Sequence, residues 1–116
     1  MNQQSSNMSH EEYVYRQQQR VVQVAEQILN QEIGLIEGTR LLSRLRGEVT
    51  EGQFDPDFTL FIGIDSETDA LPVGDERQFW ADSVLLEKDK EIRRLEDFYR
   101  DNVVAACKVL ISRFGE

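Results

Sequence analysis

The chain is poor in the residues from which most enzyme active sites are assembled. Its 116 residues include one cysteine, one histidine and two prolines. The single Cys107 excludes an intrachain disulfide and any cysteine-rich metal site. The one histidine, His10, stands at the edge of a polar N-terminal stretch, so a serine or cysteine nucleophile has no histidine base in a folded core. Cys107 itself lies in the apolar stretch VVAACKVLI (103–111), the setting of a small core residue and not of a reactive thiol. The glycines are scattered singly, so no phosphate-cradling loop is present. Pro56-Asp57 could begin a metal-dependent nuclease signature, which needs an acid two residues before a lysine. Leu86, Lys88 and Ala106 hold those positions before Lys88, Lys90 and Lys108. No apolar run approaches the ~20 residues of a membrane span, and MNQQSSNMSH does not have the pattern of a signal peptide. With one thiol and no leader, the expectation is a cytoplasmic protein without a cofactor.

The scarcest feature is local. Residues 48–76 hold nine carboxylates and no lysine or arginine, while eight acids and eight bases cancel over residues 77–116. The net charge of −9 therefore comes from that one stretch. Direct nucleic-acid binding needs a basic stripe and is disfavoured; a basic protein partner or a cation is favoured.

What is present reads as helix. At this length the chain has room for one core. Residues 1–10 are expected to be a disordered polar tail, and 11–116 a single helical domain. Val14, Val21, Ala25, Ile28 and Leu29 recur at helical spacing over about 10–30, with Asn30 and Gln31 as end signals. A second helix is expected from about Ile33 to Arg46, with Leu35, Leu42, Leu45 and Val49 on one stripe and Gly47 as its stop. Gly34 and Gly38 share a face, where they either admit a neighbouring helix or, for Gly34, only loosen the helix start. A long last helix is expected from Asp82 to Phe114, with its seam at Leu85, Ile92, Leu95, Tyr99, Ala106, Leu110 and Phe114. Its second half, apolar nearly all round, should lie inside the bundle. At about 1.5 Å per residue the helix outruns a globule of this size, so it must protrude, kink or pack against a second copy.

The centre of the chain is harder to read. In DPDF, Asp55 is a candidate N-cap and Pro56 a first helical residue, with Phe58, Phe61 and Ile62 buried; yet Leu60, Ile62 and Ile64 also alternate as a strand would. Asp75 could cap a turn that anchors Phe79 and Trp80 in the core. The loop GIDSETDALPVG (63–74) has three readings. As a calcium loop it offers Asp65, Glu67, Asp69 and Glu76 at positions 1, 3, 5 and 12, but Ala70 replaces the required glycine and Pro72 lacks an N–H. As a catalytic site, its clustered carboxylates would raise one another's pKa values, as a general acid needs. As a braced turn, Asp65, Ser66 and Thr68 bond locally, and Leu71 and Pro72 pin it to the bundle, presenting acids to solvent or to a partner.

The stretches QEIGLIEGTRLLSRLR (31–46), DPDFTLFIGIDSETDALPVG (55–74), Trp80 and EKDKEI (87–92) resemble small bacterial helical proteins of unknown function. Small acidic helical proteins of this kind are similar to immunity proteins, which neutralise a neighbouring toxin. The resemblance spans about residues 20–114 and implies no catalytic residue. The expectation is thus an all-α bundle with an irregular acidic segment between the second and the long last helix. It would be a protein-binding module whose contacts are Asp55, Asp57, Asp65, Glu67, Asp69 and Glu76, with Arg77 and Trp80 at the rim. The alternatives are a cation or carboxylate site at residues 55–76, and a homodimer through the long helix.

Overall fold

A computed structural model describes residues 8–116, and the chain is an all-α bundle with no strand among them. Its elements are α1 (His10–Leu29), α2 (Leu35–Thr50), α3 (Thr59–Thr68) and α4 (Asp82–Phe114), with 3₁₀ turns at Pro56–Phe58 and Gly74–Phe79.

Residues 1–7 of the expected tail lie outside the described residues; Ser9 and His10 belong to the start of α1. Ser9 caps α1 through a capping box, its hydroxyl accepting from the Glu12 amide (3.1 Å) while Glu12 accepts from the Ser9 amide. His10 is thereby the first residue of the helix. Asn30 closes α1, and Gln31 takes a left-handed conformation.

α2 begins and ends later than its sequence suggests. Gly34 is its N-cap, and the helix passes through Gly47 to end at Glu51 and Gly52, both at positive φ. The apolar stripe reaching Val49 outweighs the glycine, which costs a helix interior only about 1 kcal/mol. Gly38 is the residue that admits a neighbour: a Cβ there would come within 2.4 Å of Ile28 of α1. Gly47 has open space around its α-carbon. Gly47→Ala is therefore expected to stabilise the fold by about 0.5–1 kcal/mol, read as a higher urea midpoint with unchanged slope.

The 58–64 segment is helical. Asp55 accepts from the Asp57 amide (3.0 Å) and Pro56 opens the turn, so both start signals act. Phe58, Phe61, Ile64 and Thr68 then fall on one buried face, with Ile62 only half-buried. The helix runs on through Asp65 and Glu67, so half of the expected irregular acidic loop is the end of α3.

The elements pack as an antiparallel set. Tyr13 donates to Glu48 (2.9 Å), joining the start of α1 to the end of α2, and Gln19 donates to the Phe114 carbonyl (3.2 Å), joining α1 to the end of α4. One core unites Val21, Val24, Leu42, Phe58, Phe61, Val103, Cys107 and Leu110. Burial pushes the Cys107 thiol up to about 12, which makes it an inert core residue. A smaller cluster of Ile36, Leu71 and Ile92 anchors the segment after α3, with Pro72 buried beside it. α4 is unbroken over 33 residues and protrudes, and the molecule measures 53 × 32 × 25 Å. Its second half is not enclosed: Ala105, Lys108 and Val109 are exposed, because α1, α2 and α3 all lie on one side of it.

Candidate functional site

The acidic segment is organised by three arginines from outside it. Arg40, buried on α2, reaches under the end of α3. Its Nη2 donates to the Thr68 carbonyl (2.7 Å) and at longer range to that of Leu71 (3.4 Å), while Nη1 donates to Glu76 (3.0 Å). Its Nε lies 3.4 Å from Asp65, close enough for ionic attraction but not aligned as a hydrogen bond. One guanidinium thus pairs with two carboxylates and caps a helix C-terminus, where cations are favoured. The Glu76 carboxylate also accepts from the Val73 amide (3.1 Å), which fixes the start of the 74–79 turn. Between this turn and α2 lies a crevice of about 310 Å³ lined by Glu37, Arg40, Arg44, Gly74, Asp75 and Glu76.

Arg113, near the end of α4, holds the other end of the segment. It pairs with Asp55 (2.7 Å) and Asp57 (2.9 Å) and lies over its neighbour Phe114. Arg77 forms a two-pronged pair with Asp89 of α4 (2.7 and 3.0 Å) and donates to the Pro72 carbonyl (3.2 Å). Tyr99 donates to Glu67 (2.6 Å). Asp69 and Asp75 are exposed and have no ion-pair partner among the described residues.

The expected site residues are therefore dispersed along the segment. Asp65 and Glu76 meet at Arg40, Asp55 and Asp57 meet at Arg113, Glu67 turns to Tyr99, and Asp69 stands free. Trp80 is half-buried, and Phe79 is 82% exposed, so the turn does not anchor both in the core. Leu71 and Pro72 supply the buried anchor of this segment instead. The calcium loop is not formed. Asp65 and Glu67 lie on a helix and are drawn to different partners, and no group of three metal-ligating side chains converges among the described residues. The general-acid reading meets the opposite electrostatics. The Arg113 guanidinium and the Asp57 amide hold the Asp55 carboxyl below the usual range, and the Val73 amide and Arg40 do the same for Glu76. A general acid needs a raised value.

Arg40 is what the sequence reading missed. It stands on the apolar side of α2, between Ile36, Thr39 and Leu42, all buried; a lone arginine at that helical spacing was the available signal.

These lowered values carry a pH dependence. Stability from a carboxyl whose folded value is depressed is complete above its unfolded value, about 3.9 for Asp, and is lost as pH falls through the folded value. Asp55→Asn keeps a good N-cap and removes the pairing with Arg113. The melting temperature of Asp55→Asn is expected to lie below that of the parent near neutral pH. The two should converge as the pH is lowered from the unfolded carboxyl value through the depressed folded value of Asp55.

Comparison with protein-family models, curated proteins and solved structures finds no match. Neither a family nor a relative thus bears on the immunity-type expectation. No helix of the described residues is long and apolar enough to cross a membrane.

Proposed function

We propose that this chain is a protein-binding module of the immunity type. It would act in the cytoplasm, docking an acidic surface on the basic site of a partner, such as a toxin, and blocking access to that site. One observation carries the reading: Glu67 and Asp69 stand at the C-terminal end of α3, where the helix dipole disfavours negative charge, and Asp69 has no ion-pair partner among the described residues. Acids placed against local stability call for another use. Asp75, exposed on the following turn, extends the same surface. The backbone beneath is tied to α2 by Arg40 and to α4 by Arg77, so the surface is preorganised and little ordering is needed on docking. Arg77 and Trp80 stand at its rim.

The test is capture of the partner from the native host, followed by titration of that complex. Affinity is expected to fall on the order of tenfold or more when Glu67→Gln, Asp69→Asn and Asp75→Asn are combined, and to fall further as salt is raised. Asp69→Asn and Asp75→Asn by themselves should leave the melting temperature equal or higher, since neither acid has an ion-pair partner among the described residues. An affinity indifferent to both charge and salt removes the reading.

A further inference from the structure

The outward face of α4 has a charge order that matches its own reverse. Glu87, Arg94, Asp101 and Lys108 recur every seven residues, all exposed, and so run as one stripe down the middle of that face. Their signs alternate: negative, positive, negative, positive. Read from the other end, the order is positive, negative, positive, negative. Two copies of the stripe laid antiparallel therefore place each charge opposite its complement, Glu87 against Lys108 and Arg94 against Asp101, each pair occurring twice. Laid parallel and in register, the same four residues would meet like against like.

The position of the stripe on the helix agrees with this. The symmetry point of the pairing falls between residues 97 and 98, and residue 98 is the midpoint of α4 (Asp82–Phe114). An antiparallel copy centred there overlaps the helix along its whole length, about 50 Å at 1.5 Å per residue. Phe98, 74% exposed and set edge-on against Tyr99, stands at that centre, where it would meet its own copy. Within the chain, Arg94, Asp101 and Lys108 have no ion-pair partner among the described residues, and Glu87 has only the exposed Lys90 (3.2 Å). The charges of residues 77–116 cancel, so the surplus of residues 48–76 is not duplicated across this contact.

We propose that the outward face of α4 is a self-association surface, and that its occupant is a second copy of this chain in an antiparallel, two-fold arrangement. A two-fold contact presents the same patch from both subunits, as this stripe requires. Exposed ion pairs are individually weak, so the dimer is a reversible one that forms with rising concentration. The proposal does not depend on the acidic surface at residues 67–75, which is left untouched by every variant below.

Sedimentation equilibrium of the full chain over a wide concentration range is expected to show a monomer–dimer equilibrium. Arg94→Glu should weaken it by about tenfold or more, because two attractions become two repulsions. Adding Asp101→Arg to that variant should restore the parent affinity, since every charge then again faces its complement in the antiparallel register, with the 94–101 pair reversed. Disulfide trapping fixes the orientation. Ser83 and Ser112 are exposed and come opposite one another only in the antiparallel register, while Cys107 is buried. A mixture of the Ser83→Cys and Ser112→Cys chains should yield the mixed cross-link, and neither chain alone should cross-link to itself. A monomer at all concentrations overturns the proposal. So does a dimer indifferent to Arg94→Glu, or self-cross-linking of either variant alone.

Discussion

Replacing Arg40 by methionine is expected to cost the fold about 2–4 kcal/mol, measured as the change in unfolding free energy from urea titration. Methionine keeps most of the packing volume, so the loss isolates the guanidinium. The change leaves the Thr68 carbonyl without its 2.7 Å donor and deprives Asp65 and Glu76 of their shared cation. Breaking a buried pair commonly costs about 3–5 kcal/mol, because the abandoned charge stays buried. Here the Asp65 and Glu76 side chains are 26% and 47% exposed and regain some water, which sets the lower range. Arg40→Lys should recover only part of the loss. An ammonium is a point charge that cannot satisfy two carboxylates and a carbonyl in the planes the guanidinium fork occupies. The same variant reports on function. Arg40→Met makes the chain more negative, yet it unfastens the backbone that presents Asp69 and Asp75. Partner affinity should therefore fall even though net charge moves in the attractive direction.

Phe58→Ala is expected to cost about 3–5 kcal/mol, the range for emptying a buried aromatic site. Phe58 is fully buried where three parts of the chain meet. Its ring is 6.4 Å from that of Phe61, nearly edge-on, and 6.4 Å from that of Phe114 at the end of α4. The cavity would open beside the Asp55–Asp57–Arg113 fork, so the ion pairs there should also loosen. Phe58→Leu, which keeps more of the volume, should cost less, about 1–1.5 kcal/mol. Equal costs for the two variants in urea titration would mean that the site collapses around alanine and that the ring pairs contribute little.

Both variants bear on why part of this molecule could be read in advance. The periodic segments needed no tertiary information. Val21, Ala25 and Ile28 are buried on α1, and Leu42 and Val49 on α2, because a helix must hide its apolar stripe whatever covers it. Asp55-Pro56 and Ser9-x-x-Glu12 act through backbone amides within three residues, so they can be read locally as well. The absences were equally decisive. With one cysteine, no disulfide within the chain and no cysteine-rich metal centre can be built by any folding of it.

The acidic segment is where local reading stopped. Its charge could be counted, but the direction each carboxylate faces depends on residues 25 to 58 positions away: Arg40 for Asp65 and Glu76, Tyr99 for Glu67, Arg113 for Asp55 and Asp57. Ion pairs at such separations leave no periodic trace, because only the packing of α2, α3 and α4 brings the partners together. The same holds for Phe79, whose apolar character predicted burial, while Leu71 and Pro72 are the residues of this segment that the packing buries. It holds too for the second half of α4, where composition called for enclosure and the one-sided packing of the other helices left Ala105 and Val109 outside. Sequence alone determined that this is a helical bundle with its charge concentrated in one segment, since periodicity and composition are properties of the chain. Tertiary structure alone decided which of those charges are fastened inward and which remain for a partner, since that is settled by contacts between distant residues.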